Sequence, residues 1–181
     1  MRLFIAIEIP KNVKKEAERL LTELKNQSVE GRFVPISNMH ITLSFLGETD
    51  NLTGAVAAMQ RAVEGIKPFS LHLGKYGCFE KGRDARTSHI SVKGNLNELN
   101  ALYESLSAAL ADEGFKTTKK KYVPHITLGR SVVHDDITTA ALEEINPPLN
   151  ASMSVNSIVL FESVRRGKDM VYTQLHREKL D

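Results

Sequence analysis

The chain has 181 residues, of which 41% are hydrophobic and 25% charged, with a formal net charge of +2 at pH 7. This length and composition exclude a disordered chain and suit one soluble domain, or two small lobes that share a core. The small net charge permits a nucleic-acid partner without requiring one. A single cysteine, Cys78, excludes an internal disulfide and a thiolate zinc site.

The amino terminus carries a short apolar segment, Arg2 to Ile9, that is interrupted by Glu8. This segment is too short for the core of a signal peptide or for a membrane span, and it predicts a buried first strand. We therefore expect a cytoplasmic protein with no membrane association.

The remaining elements are predicted from the spacing of apolar residues, which differs between helices and strands. In chain order, we predict a helix at 11–26, strands at 33–35 and 40–46, a helix at 53–66, a strand at 69–76, a loop at 77–86, a strand at 88–92, a helix at 96–111, a strand at 125–128, a helix at 137–145, and strands at 152–161 and 170–176. Gly114 follows the third helix as an expected C-cap, and Pro147 and Pro148 follow the fourth.

The two halves of the chain repeat one pattern. A shift of 85 residues places the tetrapeptide His-Ile-Thr-Leu at 40–43 onto an identical tetrapeptide at 125–128, and it aligns the predicted helices and strands around them. We therefore predict an internal duplication that forms a single bilobal domain over residues 1–181. Strands separated by single helices, with some short loops, predict α+β lobes with largely antiparallel sheets.

The repeated motif places the same side chains on the same faces in both halves. Because side chains alternate along a strand, His40 shares a face with Thr42, and His125 shares one with Thr127, while the apolar residues point into the lobes. Two imidazoles with pKa values of ~6.5 suit general acid–base catalysis near neutral pH. Two threonine hydroxyls suit the non-bridging oxygens of a phosphate, so the set predicts in-line displacement at phosphorus without a metal.

Two alternatives compete with catalysis. A strand histidine often serves as a hydrogen-bonded structural residue, and histidines also bind metals. A structural role does not explain why both residue types occur twice. A metal site lacks a third ligand at the usual spacing near either motif.

The paired motifs, with their flanks at 38–48 and 122–130, resemble the double His-X-Thr-X signature of the two-histidine phosphoesterases. Within that superfamily, the chain is similar to the RNA 2′,3′-cyclic phosphodiesterases, also called 2′-5′ RNA ligases or LigT-like proteins. The opening segment 2–7 and the segment 158–163 are also similar to that family. The resemblance covers essentially the whole chain.

The resemblance implies a pseudo-symmetric bilobal fold, with two mainly antiparallel sheets flanking a central cleft and helices on the outside. It implies hydrolysis of an RNA 2′,3′-cyclic phosphate end to a 2′-phosphate, with no cofactor, and a reversible 2′-5′ joining of tRNA halves in some members. His40 is then expected to be the proton donor and His125 the proton acceptor. Thr42, Thr127 and Arg130 are expected at the phosphate. A monomer is expected.

The resemblance also places Phe45 beside the nucleobase. Phe45 and Arg130 each lie five residues after a motif histidine. That odd offset puts both on the opposite face of a regular strand, so they reach the cleft only where the strand ends or bulges, as Gly129 favours on the second side. The alternatives are core packing for Phe45 and a surface charge for Arg130.

One loop departs from the family. Many members have a Phe-Pro pair before the central strand, whereas this chain has Cys78-Phe79-Glu80, so base contacts from this loop are not carried over. Lys119 to Lys121 form a basic run before the second motif that predicts either a solvated loop or a track for RNA phosphates. Two other functions remain open: a cyclic phosphodiesterase for a small nucleotide, and a non-catalytic module that binds RNA ends.

Overall fold

The computed structural model describes residues 1–80, 85–118, 120–146 and 151–181. Within these ranges the chain forms four α-helices and nine strands. The helices are α1 (Lys11–Gln27), α2 (Leu52–Val63), α3 (Leu96–Asp112) and α4 (Asp136–Glu143). The strands are β1 (Arg2–Glu8), β2 (Glu30–Phe33), β3 (His40–Glu48), β4 (Phe69–Glu80), β5 (Ala85–Gly94), β6 (His125–Val133), β7 (Ser152–Val155), β8 (Ser157–Arg166) and β9 (Asp169–Lys179).

The strands form one sheet in the order β7-β4-β5-β6-β3-β1-β8-β9, with β2 paired to β6, and the described pairings are antiparallel. The predicted α+β class and antiparallel pairing are thus confirmed, and both halves contribute to one continuous sheet. The two halves of the sheet are joined where β3 meets β6, through the pair Ile41–Ile126. Both motifs therefore lie at the centre of the sheet.

Each helix buries one apolar face. In α1 the buried side chains recur every three or four residues, as an amphipathic helix requires, at Val13, Ala17, Leu20, Leu21 and Leu24. The side chains of Asn51 and Asp135 cap α2 and α4 by accepting hydrogen bonds from backbone N–H groups. Gly114 follows α3 with φ +82°, which is the left-handed conformation expected of a C-cap glycine.

Helix α2 packs against α3, and α1 contacts α4 and β4. None of the helices in the described ranges has the length and apolar character needed to cross a bilayer. The core between helices and sheet contains fully buried side chains from both halves, among them Ile5, Leu24, Met59, Leu71, Leu102 and Leu110.

Several predicted boundaries are wrong, most clearly around the predicted loop at 77–86. There β4 continues to Glu80 and β5 starts at Ala85, because Gly77, Cys78 and Phe79 pair with residues of β5. Residues 81–84 of the predicted loop lie outside the described residues. The single strand predicted at 152–161 is divided into β7 and β8, and β6 extends five residues beyond the predicted 128. Strand β2 ends at Phe33, where the predicted strand at 33–35 begins. Lys119 and the Pro147-Pro148 pair lie outside the described residues.

Candidate active site

His40 opens β3 in a fixed orientation. Its Nδ1 lies 2.7 Å from the backbone oxygen of Asn38, and its Nε2 lies 3.0 Å from Oγ1 of Thr42. Because a carbonyl oxygen only accepts hydrogen bonds, Nδ1 carries the hydrogen and Nε2 holds the lone pair of the neutral ring. The imidazole and the hydroxyl of the first motif therefore form a preassembled pair.

His125 opens β6 and is held in the same way. Its Nδ1 lies 2.7 Å from the backbone oxygen of Val123, which again lies two residues before the histidine. This contact fixes the same tautomer in the second ring. Each motif thus has an imidazole whose Nε2 can exchange a proton while the backbone holds Nδ1.

The pKa of His40 is lowered from its ordinary value of 6.5, mainly because the ring is buried. Positive charge on Arg130, His125 and Lys14 lowers it further, while the hydrogen bond to the Asn38 carbonyl acts in the opposite direction. The free protein therefore favours a neutral His40 at neutral pH. His125 lies near the first motif because Ile41 pairs with Ile126 across the two motif strands.

Aromatic rings surround both imidazoles. The His40 ring centroid lies 4.9 Å from that of Phe4 and 5.5 Å from that of Tyr172. The His125 ring centroid lies 5.2 Å from that of Phe79, which meets it edge-on. These rings limit the rotation of each imidazole and exclude water from one of its faces.

His89 is a third histidine in contact with the motifs. Its ring stacks on Phe79 at 4.4 Å between centroids, lies 5.2 Å from the ring of His125, and is only 6% exposed. Burial, followed by the charge of His125, lowers its pKa to about 4, against a weaker opposing effect of the Thr87 backbone. A Cβ at Gly77 would lie 2.7 Å from its Nε2, so the ring occupies the space beside that glycine.

Nδ1 of His89 is buried and has no well-aligned hydrogen-bond partner among the described residues. The Thr87 backbone is close enough to affect its pKa but does not meet hydrogen-bond geometry. An unpaired buried nitrogen is tolerated more easily than a buried charge, so His89 stays neutral beside His125.

Phe45 lies on the same face of the sheet as His40 and Thr42. Strand β3 shifts register against β1 so that Thr42 faces Ala6 and Phe45 faces Phe4, with Leu43 as the additional residue. This β-bulge changes which face the later residues occupy. The Phe45 side chain is 63% exposed, which does not fit the alternative of core packing.

Arg130 lies where β6 is irregular. Both β2 and β5 lose register with β6 beside it, and the following residue, Ser131, has φ +53°, a left-handed conformation that non-glycine residues seldom adopt. The bulge redirects the exposed Arg130 side chain, whose charge acts on His40. Thr127, the other predicted phosphate ligand, is half-buried and faces His89 across the β5–β6 pair.

A cleft of about 630 Å³ opens at the motifs, which is within the range of ligand sites, ~300–1,000 Å³. Thr42 and His125 are among its lining residues, and so are Phe45 and Phe79. Tyr122 forms part of the wall, where its hydroxyl donates a hydrogen bond to the backbone oxygen of Thr42 at 3.1 Å.

No motif in the sequence predicts the contacts that Phe79, His89, Tyr122 and Tyr172 make at the site. Only His89 has a signal in the sequence, which is the repeat: it lies 85 residues after Phe4, the same spacing that separates the motifs. In the described part of the chain, no three His, Cys, Asp or Glu side chains are grouped so that they could hold a metal ion.

Comparison with known proteins identifies relatives with similar length and fold. The 2′-5′ RNA ligase superfamily model matches residues 10–167. The RNA 2′,3′-cyclic phosphodiesterase of Thermotoga maritima is 32% identical over 179 residues, covering 97% of this chain and 94% of the relative. The protein of that name from Bacillus subtilis is 31% identical, covering 74% of this chain and 73% of the relative.

Solved structures agree with these matches. Escherichia coli LigT complexed with 3′-AMP superimposes with a TM-score of 0.80 at 26% identity, covering 99% of this chain and 97% of that protein. A protein from Thermus thermophilus gives a TM-score of 0.80 at 26% identity, covering 99% and 98%. The resemblance inferred from the paired motifs is confirmed, and the chain belongs to the 2′-5′ RNA ligase superfamily.

Proposed function

We propose that this enzyme hydrolyses the 2′,3′-cyclic phosphate at an RNA end to a 2′-phosphate, without a metal or cofactor. The observation that carries the proposal is the pair of imidazoles, each with Nδ1 bound to a backbone oxygen and Nε2 available for proton transfer. The names of the curated relatives support the reaction class. Both motifs lie in one chain, so the proposed site is complete in a monomer.

The reaction is an in-line displacement at phosphorus. Water attacks on the side opposite the 3′ oxygen, and Nε2 of neutral His125 takes its proton. The new P–O bond forms as the bond from phosphorus to the 3′ oxygen breaks, and Nε2–H of protonated His40 gives its proton to that oxygen. The products are a 3′-hydroxyl and a 2′-phosphate, and the two histidines have exchanged protonation states.

His40 must be protonated to act as the donor, although its pKa is lowered in the free protein. A bound cyclic phosphate carries a negative charge, which offsets the charge of Arg130 and stabilises the imidazolium. Substrate binding thus raises the pKa of the proton donor. Thr42, Thr127 and Arg130 hold the non-bridging oxygens, and Phe45 offers its exposed ring to the nucleobase.

The same groups support a reversible joining reaction. If a 5′-hydroxyl of a second RNA replaces the attacking water, His125 takes its proton, the 3′ oxygen leaves, and a 2′-5′ phosphodiester forms. No additional group is required, so the halves of a cleaved tRNA are suitable substrates. Hydrolysis prevails in water because the hydroxyl must compete with the solvent.

We also propose that the two halves of the chain are an internal duplication. It is supported by the two motif strands, β3 and β6, which each have nine residues and begin with the histidine. Each motif strand pairs with the first strand of its own half, β1 or β5. Strand β4 of the first half pairs with β5, the first strand of the second half. Strand β8 of the second half pairs with β1, the first strand of the first half. The halves are therefore interleaved.

Activity on an RNA that ends in a 2′,3′-cyclic phosphate is expected to survive excess EDTA, because the two imidazoles supply both proton transfers. Product analysis should find a terminal 2′-phosphate. The double variant His40→Ala/His125→Ala, purified identically, controls for contaminating nucleases. Loss of activity on chelation that a divalent ion restores, or a 3′-phosphate product, would contradict this mechanism.

Arg130→Ala is expected to raise the NMR titration midpoint of His40, because it removes a cation that lowers the pKa of that ring. It should also lower kcat/KM by roughly a hundredfold, as expected for loss of one charge-stabilising donor. Arg130→Lys should keep the low midpoint yet stay impaired, since lysine lacks the planar fork. Arg166→Ala is the matched control, and an unaffected Arg130→Ala variant would return Arg130 to the role of a surface charge.

A further inference from the structure

The cleft has polar lining groups besides the motif residues. Three exposed lysines, Lys116, Lys120 and Lys121, line it together with the hydroxyls of Thr117 and Thr118. Phosphate chemistry at the motifs does not require these groups. The same cavity therefore contains a second set of polar groups, which the proposed reaction leaves without a role.

The three ammonium groups are not neutralised by the described part of the protein. No described carboxylate lies within ion-pair distance of any of them. The whole chain has a net charge of only +2, so three uncompensated cations in one cleft form a local positive potential. Such a potential favours an anionic group beside the lysines.

Tyr122, next to Lys121, connects this part of the chain to the first motif. It stacks on Tyr103 of α3 with 4.1 Å between centroids and 3° between planes. Its hydroxyl donates a hydrogen bond to the backbone oxygen of Thr42 at 3.1 Å. Lys121 is thus the direct neighbour of a residue that contacts both α3 and the first motif.

Two exposed aromatic rings line the same cleft as the lysines. Phe45 is 63% and Phe79 40% exposed, and both face the cleft. Exposed rings in a basic groove bind nucleobases by stacking, with little sequence preference. The cleft therefore combines motif residues for phosphate chemistry, an aromatic surface and cations, and an RNA end presents a phosphate, a nucleoside and a second phosphate to these three kinds of group.

We propose that Lys116, Lys120 and Lys121 bind the phosphodiester on the 5′ side of the terminal nucleoside. The preferred substrate is then an oligonucleotide of at least two residues rather than a nucleoside 2′,3′-cyclic phosphate. This inference rests on the proposed function, because the cyclic phosphate must lie at the motif residues of the cleft. It favours an RNA end over the small-nucleotide alternative.

The test compares kcat/KM for a nucleoside 2′,3′-cyclic phosphate with that for a dinucleotide ending in the same group. We expect the dinucleotide to be preferred by roughly tenfold or more, the effect of one hydrogen bond to a charged group. In the variant Lys116→Ala/Lys120→Ala/Lys121→Ala, the ratio of the two values should fall toward one. The loss should appear in KM, and the slope of log kcat/KM against log salt should flatten by about 0.7 for one phosphate contact.

The matched control is Lys67→Ala/Lys93→Ala/Lys179→Ala, which removes three exposed lysines that do not line the cleft. It should keep the preference and the salt slope, and thermal melting should confirm that both triple variants fold. Equal kcat/KM values for the two substrates in the unmodified protein would overturn the inference, and so would a preference that survives in the cleft variant. If neither substrate is hydrolysed, the proposed function itself is wrong.

Discussion

Replacement of either His40 or His125 with alanine is expected to lower kcat on a 2′,3′-cyclic phosphate by about a hundredfold or more, the usual contribution of a general acid or base. In each ring Nδ1 is bound to a backbone oxygen, so Nε2 is the nitrogen that exchanges a proton. Replacement with alanine removes that nitrogen. The double variant should be little worse than either single one, because the two groups act in one step.

The roles of the two histidines can be separated with a substrate whose leaving group is much more acidic than a 3′-hydroxyl. Such a group needs little protonation, so His40→Ala should be largely rescued and His125→Ala should not. Rescue of His125→Ala instead would exchange the two assignments. The bell-shaped pH profile of kcat should lie at higher pH than that of kcat/KM, because the bound phosphate raises the pKa of His40.

Ile126→Ala is expected to lower the free energy of unfolding by about 3 kcal/mol, as for other large-to-small changes in a well-packed core. Ile41 and Ile126 are both 0% exposed and form the pair that joins β3 to β6. Urea denaturation followed by circular dichroism measures the change. Ile137→Ala is the matched control, since this side chain is 81% exposed and its loss should cost less than about 0.5 kcal/mol.

The contact between Ile41 and Ile126 at the junction of the motif strands leads to a second expected result. Because the two isoleucines are neighbours, the double variant should not equal the sum of the single ones. Each isoleucine also directly follows a motif histidine in the sequence. We therefore expect kcat to fall together with the free energy of unfolding. Additive free energies with unchanged kcat would mean that the junction plays no part in holding the site together.

The sequence alone predicts the two motif strands and their contents, because His40-Ile41-Thr42 and its repeat alternate in the way a half-buried strand requires. It cannot place Phe45 and Arg130 from the same rule. Strand alternation puts both behind the sheet, and the bulges that return them to the site depend on register with neighbouring strands. Only the family resemblance connected these two residues with the cleft.

Other parts of the site depend on tertiary pairing that no local pattern encodes. Glycine and charged residues at 77–86 are typical of a loop, yet pairing with β5 extends β4 as far as Glu80 and brings Phe79 to His125. His89 has no motif of its own. Its place beside the second histidine follows from the order of β5 and β6 in the sheet.

The close approach of His89 to Gly77 limits how this protein can evolve. Any side chain at position 77 would meet the imidazole at the distance of a steric clash, so the two positions can vary only together. A larger residue at 77 requires a smaller one at 89, and that change reaches the ring of His125 through direct contact. Compensating substitutions at position 77 in β4 and position 89 in β5 can therefore change the reactivity of the site, even while its four motif residues stay constant.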